Sequence, residues 1–186
     1  MRFTLLDRIV ELERGTRITA VKSLSLAEEY LADHFPLFPV MPGVLMLETM
    51  TQAGAWLIRA SEDFAHSMVV LKEARNVKYS NFVAPGNTLL VTAEITHQDE
   101  RLTKIKAEGR VDGEVQLSGR LVLERYNLAA DGLGSPEADL YVKREMRKLF
   151  SLLYRPPKDA APTDVAAGAP LSTSEKIAAA APRAVG

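Results

Sequence analysis

Cysteine is absent from this 186-residue chain, and histidine is scarce. Without cysteine the chain cannot form a disulfide, a zinc–thiolate site, an iron–sulfur cluster or a cysteine nucleophile. Its three histidines, His34, His66 and His97, never occur at the spacing of metal ligands, so we expect no metal site. The net charge of −1 also lacks the basic excess that is typical of a nucleic-acid-binding protein.

Long uncharged runs are missing as well. Charged residues interrupt every apolar run of residues 1–15 before the core of a signal peptide could form. The longest uncharged stretch, residues 35–47, is too short to span a bilayer and contains three prolines. The sequence therefore predicts a cytoplasmic protein without a transmembrane segment. With 47% hydrophobic residues, it can bury the core of one domain with an appendage, or of two small domains at most.

The C-terminal part of the chain differs in composition from the rest. Residues 156–186 contain ten alanines and five of the chain's ten prolines, but no aromatic residue. We therefore predict a disordered tail at 155–186. Residues 136–154 have helical spacing, and residues 127–135 are the predicted linker to that helix. The helix should dock on the body or on a second subunit, while its basic residues leave a membrane-surface role open. Its predicted apolar face consists of Leu140, Met146, Leu149, Phe150 and Leu153.

The remaining body, residues 1–126, combines several strands with one long helix. Apolar and polar residues alternate at 89–96 and 104–108, and Asp112-Gly113 marks a tight hairpin. Further strands are predicted at 3–13, 17–24 and 67–79. The helix begins at Pro42-Gly43 and continues to residue 60 with almost no charge, so it should be buried on most sides. An antiparallel sheet wrapped around a single buried helix is an α+β domain.

The residues best suited to chemistry lie between positions 34 and 52. Three prolines predict a stiff loop before the helix, and Gly43 falls at the helix start, where free N–H groups can hold a polarised carbonyl oxygen. Glu48 lies in the apolar part of the helix, and no Lys or Arg occurs at positions 23–58. Desolvation should therefore favour its protonated form. Gln52, one turn further on, can hydrogen-bond Glu48 and orient it.

Three of these residues together suggest a reaction class. His34 supplies a base, Gly43 an oxyanion donor and Glu48 an acid, which are the groups needed for proton abstraction next to a carbonyl. Each also has a structural alternative, because a lone histidine, a glycine after proline and a buried glutamate all occur without catalytic roles. Residue types and spacing alone go no further.

The same segment closely resembles the active-site motif of the hotdog-fold (3R)-3-hydroxyacyl-acyl carrier protein dehydratases of the FabZ type. That motif is H-F-P-G-x-P-x-x-P-G-V-x-x-x-E-x-x-x-Q, and here residues 34–44 read HFPLFPVMPGV, followed by Glu48 and Gln52. The resemblance covers most of residues 1–126, including residues 5–8 at the family's first strand. Leu37 replaces a glycine and Phe38 a residue that is usually polar; with Pro42 and Val44, they are the expected lining of the substrate tunnel.

The resemblance implies a mechanism and an assembly. The fold is expected to be the hotdog, and the reaction needs no cofactor. His34 would remove the α-proton, the Gly43 amide would stabilise the enolate-like oxygen, and Glu48 would protonate or hydrogen-bond the departing β-hydroxyl. Two protomers would join their sheets edge to edge, so that His34 of one faces Glu48 of the other. Trimers of such dimers are common in the family, and the partner is acyl carrier protein carrying the substrate.

Three functions stay open at this point. The leading hypothesis is a dehydratase that converts 3-hydroxyacyl thioesters to trans-2-enoyl thioesters in fatty-acid, related lipid or polyketide biosynthesis. A hotdog thioesterase would instead need an ionised carboxylate that activates water. A non-catalytic acyl-binding subunit would have its site closed by Leu37 and Phe38.

Overall fold

The structure, a computed structural model, describes residues 3–156 of the chain. Almost all of the predicted disordered tail lies outside this part. Within it, six strands and two helices follow one another along the sequence. They are β1 (Arg8–Glu13), β2 (Arg17–Ser23), α1 (Gly43–Ser61), β3 (Met68–Tyr79), β4 (Thr88–Gln98), β5 (Leu102–Val111), β6 (Glu114–Tyr126) and α2 (Pro136–Leu153), with a short 3₁₀ helix at Glu29–Leu31.

The six strands form one antiparallel sheet in the order β1-β2-β4-β5-β6-β3. Helix α1 lies across one face and contacts every strand from β2 to β6. The alternation along β4 explains this arrangement, because Leu89, Val91 and Ala93 are all buried towards the helix. The predicted α+β class is confirmed, with a sheet wrapped around a central helix.

Helix α1 is the centre of the hydrophobic core. Met50 and Leu57 are fully buried, and burying a side chain of this size contributes roughly 1.5–3 kcal/mol. Gly54 brings the helix close to the sheet, because a Cβ at this position would collide with Cδ1 of Ile105. Most sides of this helix face protein, which explains why residues 43–61 are nearly uncharged.

The hairpin between β5 and β6 turns at Asp112 and Gly113. Their φ angles are 49° and 84°, and two successive positive values are what a tight two-residue hairpin turn requires. The predicted hairpin is confirmed.

The first strand is shorter than the sequence indicates. β1 begins at Arg8, whereas alternation predicted a strand from Phe3. Asp7 still donates its N–H to the carbonyl of Val21 on β2, but the N–H of Leu5 donates to the side-chain oxygen of Gln52 on α1. At Leu5, a side chain from the central helix therefore takes the place of a neighbouring strand.

Helix α2 docks on the body, as predicted, through an aromatic cluster. The ring of Phe150 lies 6.0 Å from that of Trp56 and 5.5 Å from that of Phe64, measured between centroids. Leu153 is buried, but Leu140 is 67% exposed and does not belong to the docking face. The predicted face is therefore too long, because α2 meets α1 only through its C-terminal half. Within residues 3–156, neither helix is long and apolar enough to cross a membrane.

The N-terminal end of α2 is held by a buried carboxylate. Asp139 accepts hydrogen bonds from the hydroxyl of Ser67 and from the backbone N–H groups of Leu128 and Ala129, the last two at 2.8 and 3.0 Å. Desolvation raises the pKa of Asp139, but these hydrogen bonds and the nearby charge of Lys143 outweigh it, so the pKa lies below its ordinary value. One side chain thus joins α2, the segment before it and the start of β3.

We expect Asp139→Asn to lower the melting temperature at pH 7, because an amide cannot accept all of these hydrogen bonds and leaves a backbone donor unpaired. The folded-state pKa lies below the ordinary 3.8, so the carboxylate stabilises the fold above pH 3.8 and less as pH falls through the folded value. The difference in melting temperature between wild type and Asp139→Asn should therefore shrink in thermal melts below pH 3.8. Asp33→Asn, at an exposed position, is the matched control. Equal melting of wild type and Asp139→Asn at pH 7 would contradict the anchoring role.

Candidate active site

His34 lies in the loop between the 3₁₀ helix and α1. Its Nδ1 is 3.0 Å from the carbonyl oxygen of Val40. Because a carbonyl oxygen only accepts hydrogen bonds, the neutral imidazole carries its proton on Nδ1 and keeps a lone pair on Nε2. The ring is half-buried and meets the ring of Phe35 edge-on, at 4.5 Å between centroids. The loop therefore sets the tautomer and leaves Nε2 as the basic atom.

The core holds this loop in place. Val40 and Met41 are buried, and the N–H of Met41 donates to the carbonyl of Val83 at 2.8 Å. Between His34 and Val40 the chain turns tightly: Phe35 has a φ of 52°, and its carbonyl accepts from the N–H of Phe38 at 2.8 Å. The prolines of the motif stiffen the same loop. The carbonyl that faces His34 is thus carried by a residue anchored in the core.

Gly43 is the first residue of α1. The carbonyl of Pro42 accepts from the N–H groups of Leu45 and Met46, whereas the N–H of Gly43 belongs to the first turn, which has no intrahelical acceptor. Proline at the N-cap has no side-chain oxygen to cap this end. A Cβ at Gly43 would lie 3.0 Å from Cε1 of Tyr79, so glycine also lets β3 end against the helix start. The result is a positive helix end suited to a partly negative oxygen.

Glu48 and Gln52 are in contact on one face of α1. Gln52 Nε2 donates to Glu48 Oε1 at 2.9 Å and to the carbonyl of Phe3 at 3.1 Å, while Gln52 Oε1 accepts from the N–H of Leu5. Across residues 3–156, no donor forms a hydrogen bond with Glu48 Oε2. Gln52 therefore orients the carboxyl group and leaves one of its oxygens for another partner.

The surroundings of Glu48 are less buried than expected. Glu48 itself is half-buried, and Val44, one turn earlier, is 70% exposed. The sequence predicts an apolar environment here because the helix is nearly uncharged. In the single chain, however, the side of α1 that carries Val44 and Glu48 is only partly covered.

The structure does not join His34 to Glu48 within one chain: among the described residues, no hydrogen bond connects them. Of the predicted tunnel residues, Pro42 is half-buried and the other three are exposed. These exposed residues are Leu37, Phe38 and Val44.

Two aromatic residues near the site were not predicted from the sequence. Phe82 is exposed and packs edge-on against Phe38 at 5.8 Å between centroids, and Tyr79 lies against Gly43. Both come at or just after the end of β3, far from the motif in sequence. Only the pairing of β3 with β6 brings them to the start of α1.

Comparison with known proteins gives consistent results. A family model described as a FabA-like domain matches residues 1–120. The 3-hydroxyacyl-[acyl-carrier-protein] dehydratase FabZ of Aromatoleum aromaticum is 39% identical over 122 residues, which are 64% of this chain and 84% of that protein. The protein of the same name from Ruminiclostridium cellulolyticum is 37% identical over 119 residues, again 64% and 84%.

Among solved structures, the dehydratase heterocomplex ApeI:P from Xenorhabdus doucetiae matches with a TM-score of 0.55 at 22% identity, over 67% of this chain and 84% of that one. The acetyl-CoA-bound smu.793 from Streptococcus mutans matches with a TM-score of 0.53 at 13% identity, over 68% and 93%. These two likenesses concern the fold, which is the hotdog. Because the family match spans β1 to β5, α1 and the whole segment from His34 to Gln52, the chain belongs to the FabA-like family of hotdog-fold proteins.

Proposed function

We propose that this chain dehydrates (3R)-3-hydroxyacyl thioesters of acyl carrier protein to trans-2-enoyl thioesters in fatty-acid biosynthesis. The observation that carries the proposal is the arrangement of the motif: His34 with Nε2 as a base, the open helix start at Gly43 and the oriented carboxyl of Glu48. Relatives that share this family are named FabZ dehydratases, which supports the same substrate class.

The proposed reaction divides between these three groups. Nε2 of His34 takes a proton from C2 of the substrate, and the electron pair moves towards the thioester carbonyl, whose oxygen accepts from the N–H of Gly43. Such a preorganised donor contributes about 2–4 kcal/mol to the barrier reduction. The C2–C3 double bond then forms as the C3–O bond breaks, and protonated Glu48 gives its proton to the leaving hydroxyl, which departs as water. Proton exchange with solvent restores both side chains.

We further propose that the active unit is a homodimer with composite sites. Strand β3 is an edge of the sheet, and no described strand covers its outer side. The other edge, β1, is partly covered, because Ile9 bridges to Tyr154 after α2. Exposed Leu71 and Tyr79 on β3 give an edge-to-edge partner apolar surface. A partner placed there would bring its own His34 to Glu48 of the first chain. Assembly into trimers of dimers stays a prediction.

The two other hypotheses receive less support. A site closed by Leu37 would need that side chain to fill it, yet Leu37 is 102% exposed in the single chain. A thioesterase would share the fold, but the family relatives at 37–39% identity are named dehydratases. The cytoplasmic location, and the division of the chain into a body of residues 1–126, a linker, a helix and a tail, also stay predictions.

His34→Ala and Glu48→Gln should each lower turnover of 3-hydroxyacyl-acyl carrier protein by about 10²–10⁴-fold, because each removes one proton-transfer group. The measurement is formation of enoyl thioester, with release of free thiol followed in parallel. His97→Ala and Glu94→Gln, at exposed positions on β4, are matched controls and should keep wild-type turnover. Near-wild-type activity of either site variant would refute the assigned chemistry. Free thiol without enoyl product from the wild type would identify a thioesterase.

Mixing the inactive His34→Ala and Glu48→Gln proteins should restore activity if the site is composite. In a heterodimer, one interface combines the intact His34 of one protomer with the intact Glu48 of the other. Random exchange of subunits therefore yields about a quarter of the wild-type number of sites. Exchange is verified with differently tagged chains. No recovery after verified exchange would show that both residues act within one chain.

A further inference from the structure

Helix α2, which lies outside the family match, forms one wall of a cavity. A cavity of about 280 Å³ lies between α1 and α2, and α2 begins after the matched residues 1–120. Its apolar walls are Phe3, Ala55, Trp56, Met146 and Leu149. The cavity is therefore a feature that this chain adds to the hotdog body.

One charged side chain lines this apolar cavity. The Nε atom of Arg59 is buried, and among the described residues it has no hydrogen-bond partner. No described carboxylate forms an ion pair with Arg59; its guanidinium only lies over the ring of Trp56, 5.7 Å from the centroid. By contrast, the buried Arg125 pairs with Glu62 at 2.8 Å. Arg59 is half-buried, and partial burial of an unpaired cation costs free energy that a nearby anion would offset. Burial lowers the pKa of Arg59 to about 10.

The cavity continues the face of α1 that carries the candidate acid. Glu48, Gln52, Trp56 and Arg59 follow one another at helical spacings of three or four residues, which places them along one side of the helix. Gln52 lines the cavity and also hydrogen-bonds Glu48. With a rise of 1.5 Å per residue, Arg59 lies about 16 Å along the helix axis from Glu48.

We propose that this cavity binds an aliphatic carboxylate, with the chain between Trp56, Met146 and Leu149 and the carboxylate on the guanidinium of Arg59. Guanidinium and carboxylate form charge-assisted, often bidentate hydrogen bonds. The cavity volume of about 280 Å³ leaves room for an aliphatic chain of medium length, such as that of octanoate. The carboxylate belongs either to a free fatty acid or to an acyl substrate whose far end carries a second carboxylate; only the second source rests on the proposed function.

The chain contains a built-in reporter for this binding. Trp56 is its single tryptophan, and it lines the cavity. Titration of the full chain with octanoate should change Trp56 fluorescence in a saturable way. Octan-1-ol, which has the same chain length without a charge, should bind at least tenfold more weakly. Equal affinities for octanoate and octan-1-ol, or no saturable change with octanoate, would overturn the proposal.

Two variants separate the charge from the space. Arg59→Gln should weaken octanoate binding at least tenfold and leave octan-1-ol unchanged, whereas Arg120→Gln, at an exposed arginine on β6, should bind octanoate like wild type. Ala55→Leu fills the cavity and should abolish the binding of both probes, with melting curves as the check on folding. Octanoate affinity that neither Arg59→Gln nor Ala55→Leu changes would place the ligand elsewhere and refute the site.

The dehydratase assay then distinguishes the two sources. If octanoate raises KM for a 3-hydroxyacyl substrate with a carboxylate at its far end in the wild type but not in Arg59→Gln, the cavity takes that end of the acyl chain. If octanoate binds without changing KM, the cavity is a separate fatty-acid site. Since binding is read from fluorescence, a protein that binds octanoate but has no dehydratase activity would refute the proposed function and leave the cavity site standing.

Discussion

The close packing of α1 against the sheet is the constraint on which the rest of this structure depends. Gly54 lets the helix approach Ile105, and the buried residues of α1 fill the space that the curved sheet encloses. A buried helix cannot rotate about its axis without exposing this apolar surface. Every polar residue on α1 therefore projects in a fixed direction, including Glu48 near one end and Arg59 near the other.

The polar groups around α1 are held by partners on other elements. Gln52 joins Glu48 to the backbone before β1, and the carbonyl of Val40 sets the tautomer of His34. In each case, a segment anchored in the core orients a side chain at the surface of the body. A rigid scaffold positions reactive groups in this way. Arg59 is the exception, because its partners among the described residues do not include an anion.

Helix α2 extends the body by a different set of interactions. Phe150 packs on Trp56 and Phe64, and Arg147 pairs with Asp63 at 2.7 Å just beyond α1. At the other end, Asp139 accepts hydrogen bonds from the preceding segment and from Ser67, just before β3. Because α2 contacts the C-terminal part of α1, it leaves the motif at the start of α1 uncovered and shapes the cavity at Arg59 instead.

The sequence by itself determined the central helix, the β5–β6 hairpin and the segment from His34 to Gln52. Periodicity, turn residues and a fixed motif are all local, and each depends on neighbours close in the chain. Only the tertiary structure decided that Leu140 is exposed, that Phe3 and Leu5 bond to Gln52, and that Tyr79 lies against Gly43. The same holds for the cavity beside Arg59. These features depend on contacts between segments far apart in sequence, and the local pattern of residues does not show which distant segment each one meets.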